Sequence, residues 1–305
     1  MARNWQLGLA FALVTALMWG VLPLAMTLIL GRMDPVTITW YRFSLSALIA
    51  LLWYGWRSGP ALGRLLRGEH RGWALLAVFG LTGNYLLYIS GLQFLTPGAA
   101  QIIVQFAPLL LLLASVALLG ERFYRVQWLG IGLFSGGLLL FFHQRLGNSV
   151  VTDAGYLTGL ALMIGAAVVW TVYGLAQKQL LVAHHAKDIL LLICLGGSAL
   201  LLPFAEPAQV LALTTRETLL LVFCGLNTIV AYGCFGLAMS YWDASRVSAV
   251  IPLTPLFTLL FTWALNHAFD AGIAAEPLDW LATAGALLVV AGSACVTLAG
   301  VTRSN

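Results

Sequence analysis

The sequence is poor in charged residues. Only 9% of its 305 residues are Asp, Glu, Lys or Arg, whereas 61% are hydrophobic. About a quarter of the residues in soluble domains are charged, so this composition excludes an ordinary soluble domain. A membrane-spanning helix needs about 20 apolar residues, and the chain has room for roughly ten such helices with short loops.

Acidic residues are missing from the middle of the apolar runs. A pump for lipophilic cations needs a buried carboxylate as counter-ion, and a carboxylate-based proton relay needs such groups as carriers. The sequence therefore argues against both kinds of transporter. Transport coupled through other groups, or simple facilitation, remains open.

Motifs of catalytic and metal sites are also missing. The sequence has no P-loop for ATP and no H-E-x-x-H zinc motif. The four cysteines lie inside apolar runs, at spacings that suggest neither disulfides nor a metal site. They are Cys194, Cys224, Cys234 and Cys295. We expect no enzymatic activity, no metal, no cofactor and no nucleic-acid partner.

The apolar runs predict an all-α membrane protein, because backbone amides in hydrocarbon need partners within their own segment. The ten predicted helices are 6–29, 35–56, 72–92, 97–119, 126–143, 155–177, 188–205, 216–239, 244–267 and 278–301. The first run is too long for a signal peptide and lacks a clear cleavage site, so we expect it to be retained.

Basic residues predict the orientation in the membrane. With a cytoplasmic N-terminus, 11 of the 15 Lys and Arg residues lie on the cytoplasmic side. These are Arg3, the residues of the 57–71 loop (Arg57, Arg64, Arg67, Arg71), Arg122, Arg125, Lys178, Lys187, Arg246 and Arg303. We expect a multi-pass protein of the bacterial inner membrane with both termini in the cytoplasm.

The chain repeats itself at nearly constant spacing. A shift of 147 positions places Pro255 on Pro108, and a shift of 151 places Trp170 on Trp19. This predicts two five-helix repeats, 1–145 and 146–305. Because five is an odd number, the second repeat enters the membrane from the opposite side, and such inverted repeats are typical of secondary transporters with a substrate site between the halves.

Polar residues and prolines interrupt the fourth and ninth predicted helices. Gln101 and Gln105 lie one turn apart, and a primary amide in hydrocarbon needs either a hydrogen bond or a wet cavity. Hydrogen bonding between helices is as good an explanation for these glutamines as substrate binding. Proline frees a carbonyl one turn earlier, so we predict hinges or static kinks at Pro108, Pro252 and Pro255.

Other candidate site residues are aromatic or polar and lie deep in the predicted helices. Trp19 and Trp170 are too deep for the interfacial belt, so they either line a cavity or pack in the core. Arg42 is the basic residue clearly inside a span, and it either binds a substrate carboxylate or pairs with a buried acceptor. The remaining candidates are Tyr85, Tyr88, Tyr173, Asn227, Tyr232 and Ser248.

Glycines are dense in the fifth and tenth predicted helices. They are Gly130, Gly132, Gly136 and Gly137, and then Gly285 and Gly292. Small residues let helices cross closely, so we expect these helices to pack between the repeats or between protomers, and not to line the pathway.

Several of these features resemble the EamA family of the drug/metabolite transporter superfamily. The resemblance is carried by the run from Pro108-Leu109 to Gly120-Glu121, by ALMWG at 16–20 and by Tyr41-Arg42-Phe43. The second repeat departs from it, with Asn266-His267-Ala268 in place of Gly-Glu. The resemblance implies a basket of ten helices around a central cavity, in which the fourth and ninth helices move. It also implies similarity to bacterial amino-acid and metabolite exporters, including the aromatic amino-acid exporter branch.

We therefore predict an exporter of small metabolites, amino acids foremost, that works by alternating access as a monomer or homodimer. Aromatic residues would form an apolar and cation–π wall, while amides and hydroxyls would bind a net-neutral solute. A carrier of sugars or other uncharged metabolites remains an alternative. A membrane scaffold or receptor-like protein that transports nothing is the alternative from a different class.

Overall fold

The computed structural model describes residues 5–119, 125–144, 154–241, 247 and 250–299. Within these ranges the chain consists of helices and short connections, without a strand. The prediction of an all-α fold is confirmed for this part of the chain.

The first half of the chain contributes seven α-helices within the described residues. They are α1 Trp5–Ile29, α2 Pro35–Ala50, α3 Trp56–Arg67, α4 Arg71–Gly91, α5 Pro97–Ile103, α6 Phe106–Leu119 and α7 Arg125–Phe141. A π-helical turn, Leu51–Gly55, joins α2 to α3.

The second half of the chain contributes five more α-helices among the described residues. They are α8 Ala154–Leu180, α9 Ala186–Leu201, α10 Thr215–Tyr241, α11 Thr254–Phe269 and α12 Trp280–Ala299. Short 3₁₀ helices, Pro207–Ala212 and Ile251–Leu253, precede α10 and α11.

Proline and a polar cap start two of the helices. The Asp34 carboxylate accepts the backbone N–H groups of Val36 and Thr37, and Pro35 opens α2. In the same way, the Thr96 hydroxyl accepts the Ala99 N–H at 3.2 Å, and Pro97 opens α5. Both prolines stand where a helix leaves its N–H groups unpaired, so they cost no hydrogen bond.

Within the described residues, five helices are long and apolar enough to cross a membrane. They are Trp5–Ile29, Pro35–Trp53, Arg71–Gly91, Ala154–Leu180 and Thr215–Ala238, with mean hydropathies of 1.3 to 2.1. Shorter apolar helices span Arg125–Phe141 and Trp280–Cys295. These lengths suit a multi-pass membrane protein.

The segment 57–71, which we expected to be a loop, is mostly helical. It forms α3, a strongly amphipathic helix in which Leu65 is fully buried whereas Arg64 and Arg67 are exposed. Apolar residues at helical spacing give α3 a face that packs on the bundle, and its arginines remain on the other side. The prediction missed this helix because its mean hydropathy is low.

The two proline-containing regions are interrupted, as the prolines predict. The fourth predicted helix is divided into α5 and α6 at Val104 and Gln105. Pro108 has no N–H to offer the carbonyl of Val104, which instead accepts the Ala107 N–H at 2.9 Å. In the second region, Pro255 would free the Ile251 carbonyl, and the Thr254 hydroxyl donates to it at 2.6 Å.

Helices from the two halves of the chain pack against each other. The most extensive contacts join α1 with α10 and α11, α8 with α4 and α6, α2 with α9 and α10, α9 with α4, α5 with α11, and α7 with α12. The buried core lies along these contacts and includes Phe43, Met26, Ile89 and Phe134.

Glycines bring α7 and α12 into backbone contact. A methyl group added at Gly137 would lie 2.6 Å from the Val289 nitrogen and 2.7 Å from the Gly285 carbonyl oxygen. One added at Gly292 would lie 2.6 Å from the Gly130 carbonyl oxygen. By contrast, nothing lies within 4 Å of such a group at Gly132 or Gly136. The close crossing predicted from the glycines is therefore made between the two halves of one chain.

Candidate functional site

Arg42 is buried between helices, and only 2% of its surface is exposed. It projects from the middle of α2. Its Nη1 donates to the Met26 sulfur at 3.4 Å, and its Nη2 donates to the Thr228 hydroxyl at 3.3 Å. The buried Nε atom has no hydrogen-bond partner. No ion pair joins Arg42 to a carboxylate anywhere in the described residues.

Tyrosine rings surround the guanidinium group. The Tyr85 ring lies face-on to it, with its centroid 4.3 Å from the Arg42 Cζ, and it also contacts the Phe43 ring at 4.9 Å. The Tyr232 hydroxyl interacts with the hydroxyl groups of Tyr85 and Tyr173. The positive charge of Arg42 also interacts electrostatically with the side chains of Tyr88 and Tyr232. The structure therefore brings Arg42 together with tyrosines from α4, α8 and α10, which the sequence analysis named as candidate site residues.

The two deep tryptophans flank this tyrosine cluster. The Trp19 ring lies 5.5 Å from the Tyr232 ring and 6.0 Å from the Phe235 ring. On the other side, the Trp170 ring lies 6.3 Å from that of Tyr173. Both tryptophans are only partly buried. They form the ends of a continuous aromatic wall that passes through Tyr232 and Tyr173.

Three consecutive carbonyl groups of α1 are bound by side chains from three other helices. The Met18 carbonyl accepts from Asn227 at 2.7 Å, that of Trp19 accepts from Gln101 at 3.0 Å, and that of Gly20 accepts from Thr258 at 2.8 Å. The Trp19 carbonyl is available because Pro23, one turn later, has no N–H to donate. The Asn227 amide oxygen remains buried and without a hydrogen-bond partner.

The two glutamines of the fourth predicted helix both join helices. Gln101 binds α1 as described, and the Gln105 amide oxygen accepts the Ser293 hydroxyl of α12 at 3.1 Å. Both are more than 90% buried. These contacts match the interhelical alternative that the sequence left open, and they leave Arg42 and the aromatic wall as the centre of the candidate site.

The remaining predicted residues lie away from this centre or outside the description. Ser248 lies outside the described residues. Pro252 lies in the 3₁₀ turn before α11, and Pro255 lies in the first turn of that helix. Pro108 is in the first turn of α6. Sequence reasoning missed Thr228 and Met26, which contact Arg42; nothing distinguishes them from other residues of apolar runs.

A second set of polar contacts closes the end of the bundle where α1, α7 and α9 finish. The Asp279 carboxylate accepts Gln144 at 2.9 Å and pairs with the His143 ring at 3.0 Å. The Thr96 hydroxyl donates to Glu276 at 2.6 Å. Arg32 pairs with Glu217 at 3.5 Å, and the Asp34 N–H donates to Gln209 at 3.0 Å. We call these contacts the end latch, and every one of them joins the first half of the chain to the second.

Hydrogen bonds hold two of the latch carboxylates, those of Asp279 and Glu217, in their charged form. The Ala282 backbone N–H, then Gln144 and His143, lower the pKa of Asp279 below its ordinary value. The backbone and side chain of Thr214, followed by Arg32 and Arg216, lower the pKa of Glu217. Both carboxylates therefore stay negative at neutral pH, which preserves their contacts.

The described residues contain no group of three His, Cys, Asp or Glu side chains close enough to hold a metal ion. All four cysteines are free thiols, and Cys194 and Cys224 are buried near Arg42. The site therefore consists of one arginine, aromatic rings and neutral polar groups, which suits reversible binding of a small polar molecule.

Comparison with known proteins identifies relatives along nearly the whole chain. The sequence model of the EamA-like transporter family matches it twice, at residues 6–143 and 157–298. The uncharacterized inner membrane transporter YhbE of Escherichia coli K12 is 40% identical over 96% of this chain and 92% of its own length. The aromatic amino acid exporter YddG of Ancylobacter novellus is 27% identical, over 92% and 94% of the two chains.

A solved crystal structure shares the fold. It superposes with a TM-score of 0.65 at 24% identity, over 96% of this chain and 98% of the other. The likeness supports the helical arrangement described above.

Proposed function

The chain belongs to the EamA-like transporter family, and from this premise we propose that it exports amino acids or closely related zwitterionic metabolites. Membership makes it a multi-pass inner-membrane transporter of a small molecule. The choice of substrate, the direction of transport and the transport cycle are our proposals.

The observation that carries the substrate proposal is the state of Arg42. A buried cation is costly unless it is paired, and an intramembrane charge commonly marks a substrate pathway. Arg42 keeps a buried Nε without a hydrogen-bond partner, and the buried Tyr88 hydroxyl also lacks one. Both atoms are hydrogen-bond donors, so an incoming carboxylate could satisfy them together.

The surroundings of Arg42 suit the rest of an amino acid. The aromatic wall from Trp19 to Trp170 offers apolar surface and electron-rich ring faces. The unpartnered Asn227 amide oxygen is an acceptor for an ammonium group. A cation, ring faces and a neutral acceptor together favour a zwitterion over a sugar, which has no charge for Arg42. The exporter named in Ancylobacter novellus carries aromatic amino acids, and this supports the same choice.

We further propose that the two halves, 1–145 and 146–305, are inverted repeats of five spans each. Together they would alternate between a conformation open to one side of the membrane and a conformation open to the other side. The double match of the family model supports two repeats. The packing pairs also correspond, because α1 on α10 matches α8 on α4, and α1 on α11 matches α8 on α6. The helix breaks before Pro108 and Pro255 would provide hinges at equivalent places, and the end latch would close one side.

Export from proteoliposomes tests the substrate proposal. Purified protein is reconstituted into liposomes preloaded with labelled tyrosine, its carboxamide or a hexose. We expect rapid release of tyrosine and slow release of the other two. A charge-assisted hydrogen bond contributes about 1.5–3 kcal/mol, so Arg42→Gln should slow tyrosine release by roughly tenfold to a hundredfold.

Arg32→Gln is the matched control, because the same change is made at an exposed arginine of the end latch. It should leave the preference for tyrosine over its carboxamide intact. Hexose release without tyrosine release would replace the amino-acid proposal with the sugar alternative. If no solute leaves faster than from protein-free liposomes, the transport proposal itself is wrong.

A further inference from the structure

A separate pocket lies at the opposite end of the bundle from the latch, where α3 and α8 finish. It has a volume of about 600 Å³. Arg64, Arg67, Glu69 and His70 line it from α3 and the following turn, and His184 lines it from the α8–α9 loop. We call it the basic pocket, and the distribution of arginine and lysine predicts that it faces the cytoplasm.

Positive charge dominates the basic pocket. Arg64 and Arg67 are permanently charged, and Glu69 supplies the opposing carboxylate in the lining. The His70 and His184 rings meet edge-on, with centroids 5.6 Å apart. Burial, then His70 and Arg64, lower the pKa of His184; His185 acts in the same direction, and Asp188 opposes them. Protonation of His184 is thus disfavoured, and an anion bound in the pocket would make it more favourable.

From this geometry we propose that the basic pocket binds the phosphate group of an anionic phospholipid. Two guanidinium groups provide the paired donors that a phosphate accepts, and protonated imidazoles would add to them. The site is distinct from Arg42, and the proposal holds whether or not the transport proposal does.

Exposed apolar residues next to the basic pocket favour a lipid over a soluble phosphate. Leu66 is 50% exposed within the α3 segment that lines the pocket, and Leu181 and Val182 are 47% and 83% exposed just before His184. Leu52 and Trp53, 77% and 84% exposed, end the apolar span Pro35–Trp53 just before α3. An amphipathic helix beside such residues lies in the membrane interface, where it meets headgroups and acyl chains together.

A phosphate in the basic pocket would join segments from the two halves of the chain. Arg64, Arg67 and His70 belong to the first half, whereas His184 belongs to the second. The bound lipid would thus stabilise the conformation in which these segments meet, as a ligand stabilises any state that it prefers.

Lipid titration of the full-length protein in neutral detergent tests this proposal. Dissociation constants are measured by native mass spectrometry for short-chain phosphatidylglycerol, phosphatidylcholine and inorganic phosphate. We expect tighter binding of phosphatidylglycerol than of the other two. Its affinity should rise as the pH falls towards the lowered pKa of His184, because a protonated His184 would donate to the phosphate.

Arg64→Gln should weaken phosphatidylglycerol binding by about tenfold, as expected for a lost charge-assisted hydrogen bond. Arg71→Gln removes the same charge from a nearby exposed residue that does not line the pocket, and it should bind like wild type. Arg67→Gln gives a second, independent test if Arg64→Gln folds poorly. Equal losses in the Arg64 and Arg71 variants would show diffuse surface attraction and overturn the proposal. So would inorganic phosphate or phosphatidylcholine that binds as tightly as phosphatidylglycerol.

Discussion

Replacing Gly137 with alanine tests how tightly α7 and α12 must pack. The new methyl group would lie 2.6 Å from the Val289 nitrogen and 2.9 Å from the Leu288 Cβ, whereas ordinary contacts begin at 3.4 Å. Because the closest atom belongs to the backbone, a rotamer change cannot relieve the clash. The helices must therefore separate by about 0.8 Å, and a gap of that size forfeits roughly a quarter to a half of each contact's dispersion energy.

The neighbouring glycine provides the control. Gly136 lies on the same helix, but nothing lies within 4 Å of an added methyl group there. Alanine improves helix propensity by about 0.5–1 kcal/mol at both positions, so this gain cancels in the comparison. What remains is the cost of overpacking, about 1–3 kcal/mol.

Unfolding of the two purified variants by SDS in mixed micelles, followed by tryptophan fluorescence, measures that difference. We expect Gly136→Ala to be as stable as wild type or slightly more stable, and Gly137→Ala to unfold at a lower SDS fraction. Gly292→Ala, which meets the α7 backbone from the other helix, should behave like Gly137→Ala. Equal midpoints for Gly136→Ala and Gly137→Ala would refute the close crossing.

Two further predictions concern the end latch and the interrupted helix. Asp279→Ala should lower the thermal unfolding midpoint at neutral pH, because it removes the contacts to Ala282, Gln144 and His143. Those contacts lower the pKa of Asp279, so the difference in unfolding midpoint between the variant and wild type should be largest above the ordinary pKa of 3.8. It should disappear as the pH falls below 3.8 and through the lowered pKa. A difference in midpoint that stays constant with pH would contradict this reasoning. Pro108→Ala supplies an N–H for the Val104 carbonyl, so it should join α5 to α6 and slow release from proteoliposomes severalfold, whereas wild-type rates would reduce the proline to a static kink.

Local chemistry made much of the fold predictable from the sequence. Apolar runs predicted the long helices, and the interruption before Pro108 followed from the missing N–H of proline. The helix α3 was missed because its apolar residues are few, so that its structure depends on packing against the bundle and not on hydropathy. The sequence predicted one helix over 97–119 with a hinge or kink at Pro108, whereas the structure divides that segment into two helices at Val104 and Gln105.

The candidate site was only partly predictable, because side-chain partners come from distant helices. Depth and residue type were enough to single out Arg42, Tyr85 and Tyr232. The same criteria could not decide whether Gln101 faces a solute or another helix; its partner is a backbone carbonyl 82 residues away. The end latch was missed because its members lie at helix ends and in connections far apart in the sequence, and they find their partners only when the two halves of the chain meet.

The three bound carbonyl groups of α1 restrict how this protein can change shape. Asn227, Gln101 and Thr258 connect Met18, Trp19 and Gly20 to α10, α5 and α11, so these four helices share one junction. If α5 or α11 swung alone, it would leave a carbonyl and a donor unpaired in a medium with no water to replace them. We therefore propose that the junction stays rigid during transport, while α6 turns about Val104 and Gln105 and α5 stays with α1. Distance measurements between spin labels on α1 and α5, compared with labels on α1 and α6, would record that division of the molecule directly.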